Sequence, residues 1–207
     1  MTKHKLEWPV LLVATGNRGK QREFRSLLRG LPVVLRFPQD VPFRRQVEEN
    51  GVTYAQNAAL KAQAWAQATG WLTLADDSGL EVDALDRAPG LYSARYAPQP
   101  HPTDADRRRY LLSNLADKPR PWKARFVCTI AVATPTGLLH FAEGDCPGEI
   151  IPEERGEHGF GYDPIFWLPE LGRTMAELTP AEKNRLSHRA RAARAILPLL
   201  AALVAAL

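Results

Sequence analysis

The chain has 207 residues, 45% of them hydrophobic and 24% charged, a balance that excludes a disordered or fibrous chain. Lys plus Arg number 27 against 23 Asp plus Glu, and the net charge of +4 suits a nucleic-acid binder and a polyphosphate pocket equally. At roughly 150 residues per domain, the length predicts one α/β domain over 1–207 with enough apolar residues for a sizeable core.

Residues 1–9 are polar, with no apolar stretch before a small-residue cleavage site, so no signal peptide is expected. Residues 10–14 form a continuous apolar run, the pattern of a strand buried on both faces. Thr15-Gly16-Asn17-Arg18-Gly19-Lys20 follows as a polar loop. Residues 21–28 read as a helix with Phe24, Leu27 and Leu28 on one side and Gly30 as its stop, and residues 33–35 as a second strand. Strand, loop, helix, strand is the opening of an α/β sheet.

Thr53 and Gln56 have the spacing of a capping box, opening an alanine-rich helix that stops at Gly70. Residues 71–75 predict a strand that delivers Asp76-Asp77-Ser78-Gly79 at its C-terminal end. Residues 98–102 predict a loop and 104–115 a charged helix, with Arg107-Arg108-Arg109 as its solvated face. Residues 125–133 and 138–142 predict a hairpin turning at Pro135-Thr136-Gly137. Thr179 and Glu182 form a second capping box with Pro180 at the first helical position. The apolar tail 196–207 is too short to span a bilayer, which takes roughly 20 residues, and predicts a helix docked on the core. Cys128 and Cys146 have no metal-binding spacing and are expected as buried free thiols. A soluble, cytoplasmic protein is the resulting expectation.

Four polar clusters interrupt this pattern, expected at element ends where α/β proteins place their sites. In residues 15–20 the glycines let backbone N–H groups approach an anion, the following helix adds its positive end, and Lys20 adds a full charge. The spacing is not that of a Walker A loop. Asp76 and Asp77 repel each other unless a cation sits between them, and a hard cation such as Mg2+ favours such oxygen ligands. Side chains alternate along a strand, so one aspartate faces the site and the other braces loop N–H groups. Glu48-Glu49 precedes a helix on which Asn57 and Lys61, four residues apart, share a face. The last cluster joins Phe160-Gly161-Tyr162-Asp163 with Lys183, Ser187, His188 and Arg189. The aromatic loop suits a flat base and the cations suit phosphates or base carbonyls. Lys183 and His188 would stand about 140° apart on an unbroken helix. A break at Ser187, with its hydroxyl capping the second piece, lets both face one pocket.

Taken together, these motifs resemble the inosine/xanthosine triphosphate pyrophosphatase family. Thr15-Gly16-Asn17-x-x-Lys20 with Glu23, Asn57-Ala58 with Lys61-Ala62, and 75–80 carry the resemblance, with Pro89-Gly90-x-Tyr92-Ser93-Ala94-Arg95-Tyr96, 160–164 and 187–189 in the same order. The resemblance implies a long curved mixed β-sheet flanked by helices, in two lobes with an active-site groove between them. It implies a homodimer that hydrolyses ITP, dITP and XTP to the monophosphate and pyrophosphate with Mg2+. It makes Asp77 the general base and, with Glu48, the Mg2+ site, Glu49 being the neighbouring alternative. It makes Thr15, Gly16, Asn17, Arg18, Gly19 and Lys20 the triphosphate loop, Lys61 a phosphate contact and Ser78 a substrate contact. Phe160, Gly161, Tyr162, Asp163, Lys183, His188 and Arg189 become the nucleotide and base contacts, so that Lys20, Lys61, Lys183 and Arg189 face the triphosphate. Gln56 departs from the family pattern, which often has Glu there. Two other functions stay open: a pyrophosphatase preferring other bases, such as modified pyrimidines, and a nucleic-acid-binding module.

Overall fold

The computed structural model describes residues 8–206; the N-terminal reading over residues 1–7 and the final residue of the tail fall outside the described residues. Strand β1 (Val10–Val13) is the buried apolar run. Asn17 caps helix α1 (Arg18–Leu27), its side chain accepting from the Lys20 amide. The helix therefore begins three residues before the expected 21–28, and Arg18, Gly19 and Lys20 form its first turn rather than a loop. Strand β2 (Val34–Arg36) follows. Thr53 caps helix α2 (Tyr54–Thr69), which ends at left-handed Gly70. Only half of the expected capping box forms, because the Gln56 side chain accepts from the Val52 amide instead of the Thr53 amide.

Strand β3 (Leu72–Val82) does not stop at residue 75 but runs straight through Asp76-Asp77-Ser78-Gly79. Helix α3 (Asp104–Leu115) has the expected bounds. Strands β4 (Trp122–Ala133) and β5 (Leu139–Ile150) form the expected hairpin, but are longer than predicted because they pair along their whole length. Short strands β6 (Phe166–Leu168) and β7 (Arg173–Thr174) complete the sheet. Helix α4 (Pro180–Leu186) carries the full Thr179–Glu182 capping box, and Ser187 caps helix α5 (His188–Ala205), as the break at that residue predicts.

The result is one seven-stranded mixed sheet in the order β2-β1-β3-β4-β5-β6-β7. β1 pairs in parallel with β2 and β3; the remaining pairs are antiparallel. On one face, α1 and α5 cover an apolar cluster that includes Leu72, Leu74, Ile130 and Ile196. Further along the same strands a second cluster gathers Leu80, Val82, Phe126 and Ile165. Between the two lie polar Asp76 and Ser78. On the other face, α2 packs Ala58, Ala62 and Trp65 against Ala75 and Ala131. No helix of the described residues is long and apolar enough to cross a membrane.

Gly144 sets how closely α5 lies on β5. A Cβ there would collide with the His188 carbonyl and the Ala192 amide, both backbone atoms that cannot step aside. Gly144→Ala is expected to lift the start of α5 and lower unfolding free energy by about 1–3 kcal/mol, the usual cost of overpacking. Urea denaturation measures this; an unchanged midpoint contradicts the close approach.

Candidate active site

Beyond Val13 the chain leaves the sheet through Thr15 and Gly16 and enters α1 at once. Thr15 Oγ1 accepts from the Asn17 amide at 3.3 Å, and Gln21 Nε2 donates to the Thr15 carbonyl at 2.9 Å, so the turn is held from both sides. The end of β1 also exposes an edge of β3. The Ala14 amide donates to the Leu74 carbonyl, and the next outside contact on that edge is the Leu80 amide donating to Ser93 Oγ. Between these, Asp76, Asp77 and Ser78 border a stretch that no second strand covers among the described residues.

Strand alternation separates the two aspartates. Asp77 faces α2, where Asn57 Nδ2 donates to Oδ2 at 3.1 Å and Lys61 Nζ stands 3.9 Å from Oδ1. Lys61 also pairs with Glu49 at 2.7 Å. Burial pushes the Asp77 carboxyl above its ordinary pKa, and Lys61, Lys20 and Asn57 offset this only in part. Glu49 is thus the acid tied into this cradle, through Lys61; both glutamates are exposed, and Glu48 joins no ion pair among the described residues.

Asp76 faces α1 and α5. It does not brace loop amides, as the alternation argument expected of the second aspartate, but meets Lys20 at 2.9 Å and Arg189 at 3.1 Å. Burial would raise its pKa; Lys20, Arg189 and Lys61 overcome that and hold the carboxyl well below the carboxylate range. Arg189, only 1% exposed, also donates to Glu23 at 2.6 Å and Ser78 Oγ at 2.8 Å. Glu23 in turn pairs with Lys183 at 2.8 Å, and Lys183 with Asp163 at 2.5 Å. Burial raises Glu23 as well, but Arg189 and Lys183 keep it ionised below its ordinary value. For Asp163, burial outweighs Lys183 and the carboxyl is raised. The cations expected to face a triphosphate are therefore each matched by a carboxylate of the chain: Lys20 and Arg189 by Asp76 and Glu23, Lys183 by Glu23 and Asp163, Lys61 by Glu49.

The aromatic loop closes over this network. Asp163 Oδ2 accepts from the Phe160 amide at 2.8 Å, and the Phe160 ring lies under Lys183 Nζ at 4.8 Å. The ring packs directly on Gly19, where any Cβ would collide with it. Ser78, Leu80, Phe126, Phe160, Lys183 and His188 help to wall a cavity of about 120 Å3. That is well below the roughly 300–1000 Å3 of a pocket that engulfs a ligand. The cavity opens toward the uncovered β3 edge beside Ser78. His188 stacks on Phe126 with centroids 4.8 Å apart, its Nδ1 buried without a partner. Burial, then Arg189 and Lys183, keep the imidazole neutral.

Asn17, Lys20, Ser78, the 160–163 loop, Lys183, His188 and Arg189 converge on the cavity, with Gly19 packed against Phe160; Gly16 and Arg18 face away from it, and Lys61 and Asp77 lie across the strand. Sequence reasoning assigned no role to Glu23, although it stands four residues before Leu27 and so on the apolar side of α1. It also read Arg107-Arg108-Arg109 as solvated. Only Arg109 is: Arg107 donates to the Ala94 and Pro102 carbonyls, and Arg108 to Gly161 and Glu154. Asp104 accepts from the Gly161 amide, so α3 supports the aromatic loop. Both cysteines are buried free thiols, as expected.

A capped turn at the N-terminus of α1, a carboxylate held by Asn57 and Lys61, and an aromatic-walled cavity on one mixed sheet define an α/β protein with the parts of a nucleotide site. Residues 11–199 match the Ham1 family, and the chain belongs to it. A dITP/XTP pyrophosphatase of Desulforamulus reducens is 48% identical over 191 residues, covering 92% of this chain and 94% of that protein. The Nostoc sp. dITP/XTP pyrophosphatase is 46% identical over 196 residues, 94% of this chain and 96% of that one. Among solved structures, a HAM1 protein from Coxiella burnetii superposes with TM-score 0.82 at 40% identity, covering 93% and 98% of the two chains. The nucleoside-triphosphatase / dITP/XTP pyrophosphatase of Mycobacterium abscessus does so with TM-score 0.72 at 43% identity, covering 91% and 99%.

The network has an acid signature. Because the folded-state pKa of Asp76 is depressed, its stabilisation is present above the unfolded value of about 3.9 and is lost as pH falls below it. Asp77 and Asp163, shifted upward, act with the opposite sign and favour the fold as they protonate. Asp76→Asn is expected to cost about 3–5 kcal/mol at neutral pH, since it leaves buried Arg189 short of a partner. It should also flatten the loss of stability below about pH 4. Urea midpoints of wild type and variant, followed from about pH 7 to pH 3, check both.

Proposed function

We propose that the chain hydrolyses deaminated purine nucleoside triphosphates, ITP, dITP and XTP, to the monophosphate and pyrophosphate, clearing them from the nucleotide pool. The observation that carries this is the placement of β3: the cavity opens on its Asp76/Ser78 face and Asp77 on the other, with the uncovered edge between them. A base in the cavity sends its phosphates across that edge, past the α1 N-terminus and Lys20, to Asp77. The names of the relatives agree with this activity.

The residues present fit a hard divalent cation. Lys61 Nζ lies between Glu49 and Asp77, marking where carboxylate oxygens converge on positive charge. Among the described residues no cluster of three or more His, Cys, Asp or Glu exists, but Mg2+ is typically held by one or two carboxylates together with substrate phosphates. Asp77 with Glu48 or Glu49 would hold it, and when bound it supplies charge neutralisation at the phosphate oxygens. Asp77, its proton affinity raised by burial and its orientation fixed by Asn57, takes the proton of the attacking water. Attack at the α-phosphorus breaks the α–β anhydride bond. Lys20, Lys61 and the first amides of α1 neutralise the departing pyrophosphate. Phe160 covers the base, and Tyr162 and Gly161 hold its loop in place. His188 or Arg189 is the N–H donor to a 6-keto group, a bond that adenine's 6-amino group cannot accept. The enzyme acts as a cytoplasmic homodimer on free nucleotides, without nucleic-acid or membrane partners; two unpaired thiols fit a reducing compartment.

Pyrophosphate release from ITP, XTP, dUTP and GTP, each with and without Mg2+, tests the reading. ITP and XTP should lead by at least tenfold and only with the metal; a lead for dUTP would favour the pyrimidine alternative. Asp77→Asn, which retains the Asn57 contact geometry, is expected to lower kcat on ITP by about 10²–10⁴-fold with the fold intact by circular dichroism. Wild-type kcat in this variant would sink the assignment of the base.

A further inference from the structure

Between the start of α1 and helix α2 lies a second concavity, of about 590 Å3, that neither the base cavity nor Asp77 uses. Gly16, Gln39 and Trp65 line it together with three guanidinium groups, Arg18, Arg44 and Arg45. No carboxylate lines it, and among the described residues none of these arginines joins an ion pair. That contrasts with Lys20, Lys61, Lys183 and Arg189, all of which are matched by acids.

The concavity continues the line of the site. Asn57, Lys61 and Trp65 follow one another at four-residue intervals along one face of α2, each step about 6 Å. Asn57 and Lys61 reach Asp77, and Trp65 lines the concavity. On the opposite wall, Gly16 and Arg18 belong to the turn that also carries Thr15, Asn17 and Lys20. A phosphate chain that crosses the β3 edge to Asp77 and keeps its direction runs in among the three arginines. Guanidinium forks match phosphate oxygens in pairs, and unpaired ones need give up no partner to do so.

We propose that this concavity, with Arg44 and Arg45 as its added contacts, is a subsite for the polyphosphate tail, so that the chain also accepts purine nucleoside tetraphosphates. This rests on the reading of the site as an α-phosphorus pyrophosphatase. The water oxygen bonds to the α-phosphorus, the α–β bridging bond breaks, and its electron pair leaves on tripolyphosphate. The proton lost by the water passes to Asp77. The products are the monophosphate and tripolyphosphate.

Inosine 5′-tetraphosphate and ITP are to be compared as substrates of wild type, the Arg44→Ala/Arg45→Ala double variant, and Arg29→Ala, an exposed arginine away from the concavity. The ratio of kcat/KM for tetraphosphate over triphosphate is expected to fall about tenfold in the double variant and to hold in Arg29→Ala. Calorimetric titration with inorganic tripolyphosphate should show binding to wild type that weakens about tenfold in the double variant at equal ionic strength. An unchanged ratio, or tripolyphosphate affinity insensitive to the double substitution, overturns the subsite. The titration needs no turnover. Binding through Arg44 and Arg45 without ITP hydrolysis would overturn the proposed activity while keeping the subsite; ITP hydrolysis with an unchanged ratio would do the reverse.

Discussion

The burial of Arg189 is the constraint on which the site depends. A guanidinium taken out of water costs several kcal/mol unless its hydrogens are met, and here they are met by Glu23 from α1 and by Asp76 and Ser78 from β3. Three elements far apart in the chain are thereby held in one register. Glu23 extends the tie to Lys183 on α4, and Lys183 to Asp163 in the aromatic loop. These charges separate the two apolar clusters that share the same face of the sheet. The groove is therefore a break in the core, kept open by groups that cannot be packed with hydrocarbon.

The network is balanced in charge but not complete in hydrogen bonds. Asp76 Oδ2 serves both Lys20 and Arg189 while Oδ1 has no partner, and His188 Nδ1 has none either. Buried polar atoms left unmet are costly, and they cluster where a polar ligand would meet them. The net charge of +4 says little about this site, because its lysines and its buried arginine are already matched by acids. The unmatched cations lie beside it.

Much of the fold was legible because local signals agreed. Thr179 with Glu182 and Pro180 marks the start of α4, and that box forms as written, while the charged run 104–115 forms α3 with the expected bounds. Ser187 was legible because Lys183 and His188 could not otherwise share a pocket. The failures have physical causes. Asp76-Asp77-Ser78-Gly79 has the composition of a turn. Yet the apolar alternation of Leu72 and Leu74 resumes at Leu80 and Val82, and Lys20 and Arg189 supply from a distance the charge that lets the strand continue. β5 runs past the expected end at residue 142 through Gly144, Pro147 and Gly148, residues of low strand propensity, because pairing with β4 carries the strand past all three. In the site, the identity of the converging groups was readable, but their pairing was not. Which carboxylate neutralises which cation is a long-range property, and so the roles of Glu23 and Asp76 emerge only in three dimensions.

Strand alternation through the adjacent aspartates also limits how this chain can vary in length. Removing one residue of β3 ahead of the doublet would turn Asp77 toward Arg189 and put Ser78 in the cradle of Asn57 and Lys61. Adding one would turn Asp76 into that cradle and leave Ala75 against Arg189. In either case one of the two contacting positions loses its carboxylate, although no charged residue has been deleted. The doublet serves both faces in a single register, so a one-residue insertion or deletion ahead of it disturbs the contacts to Arg189 and to Asn57 and Lys61 at once.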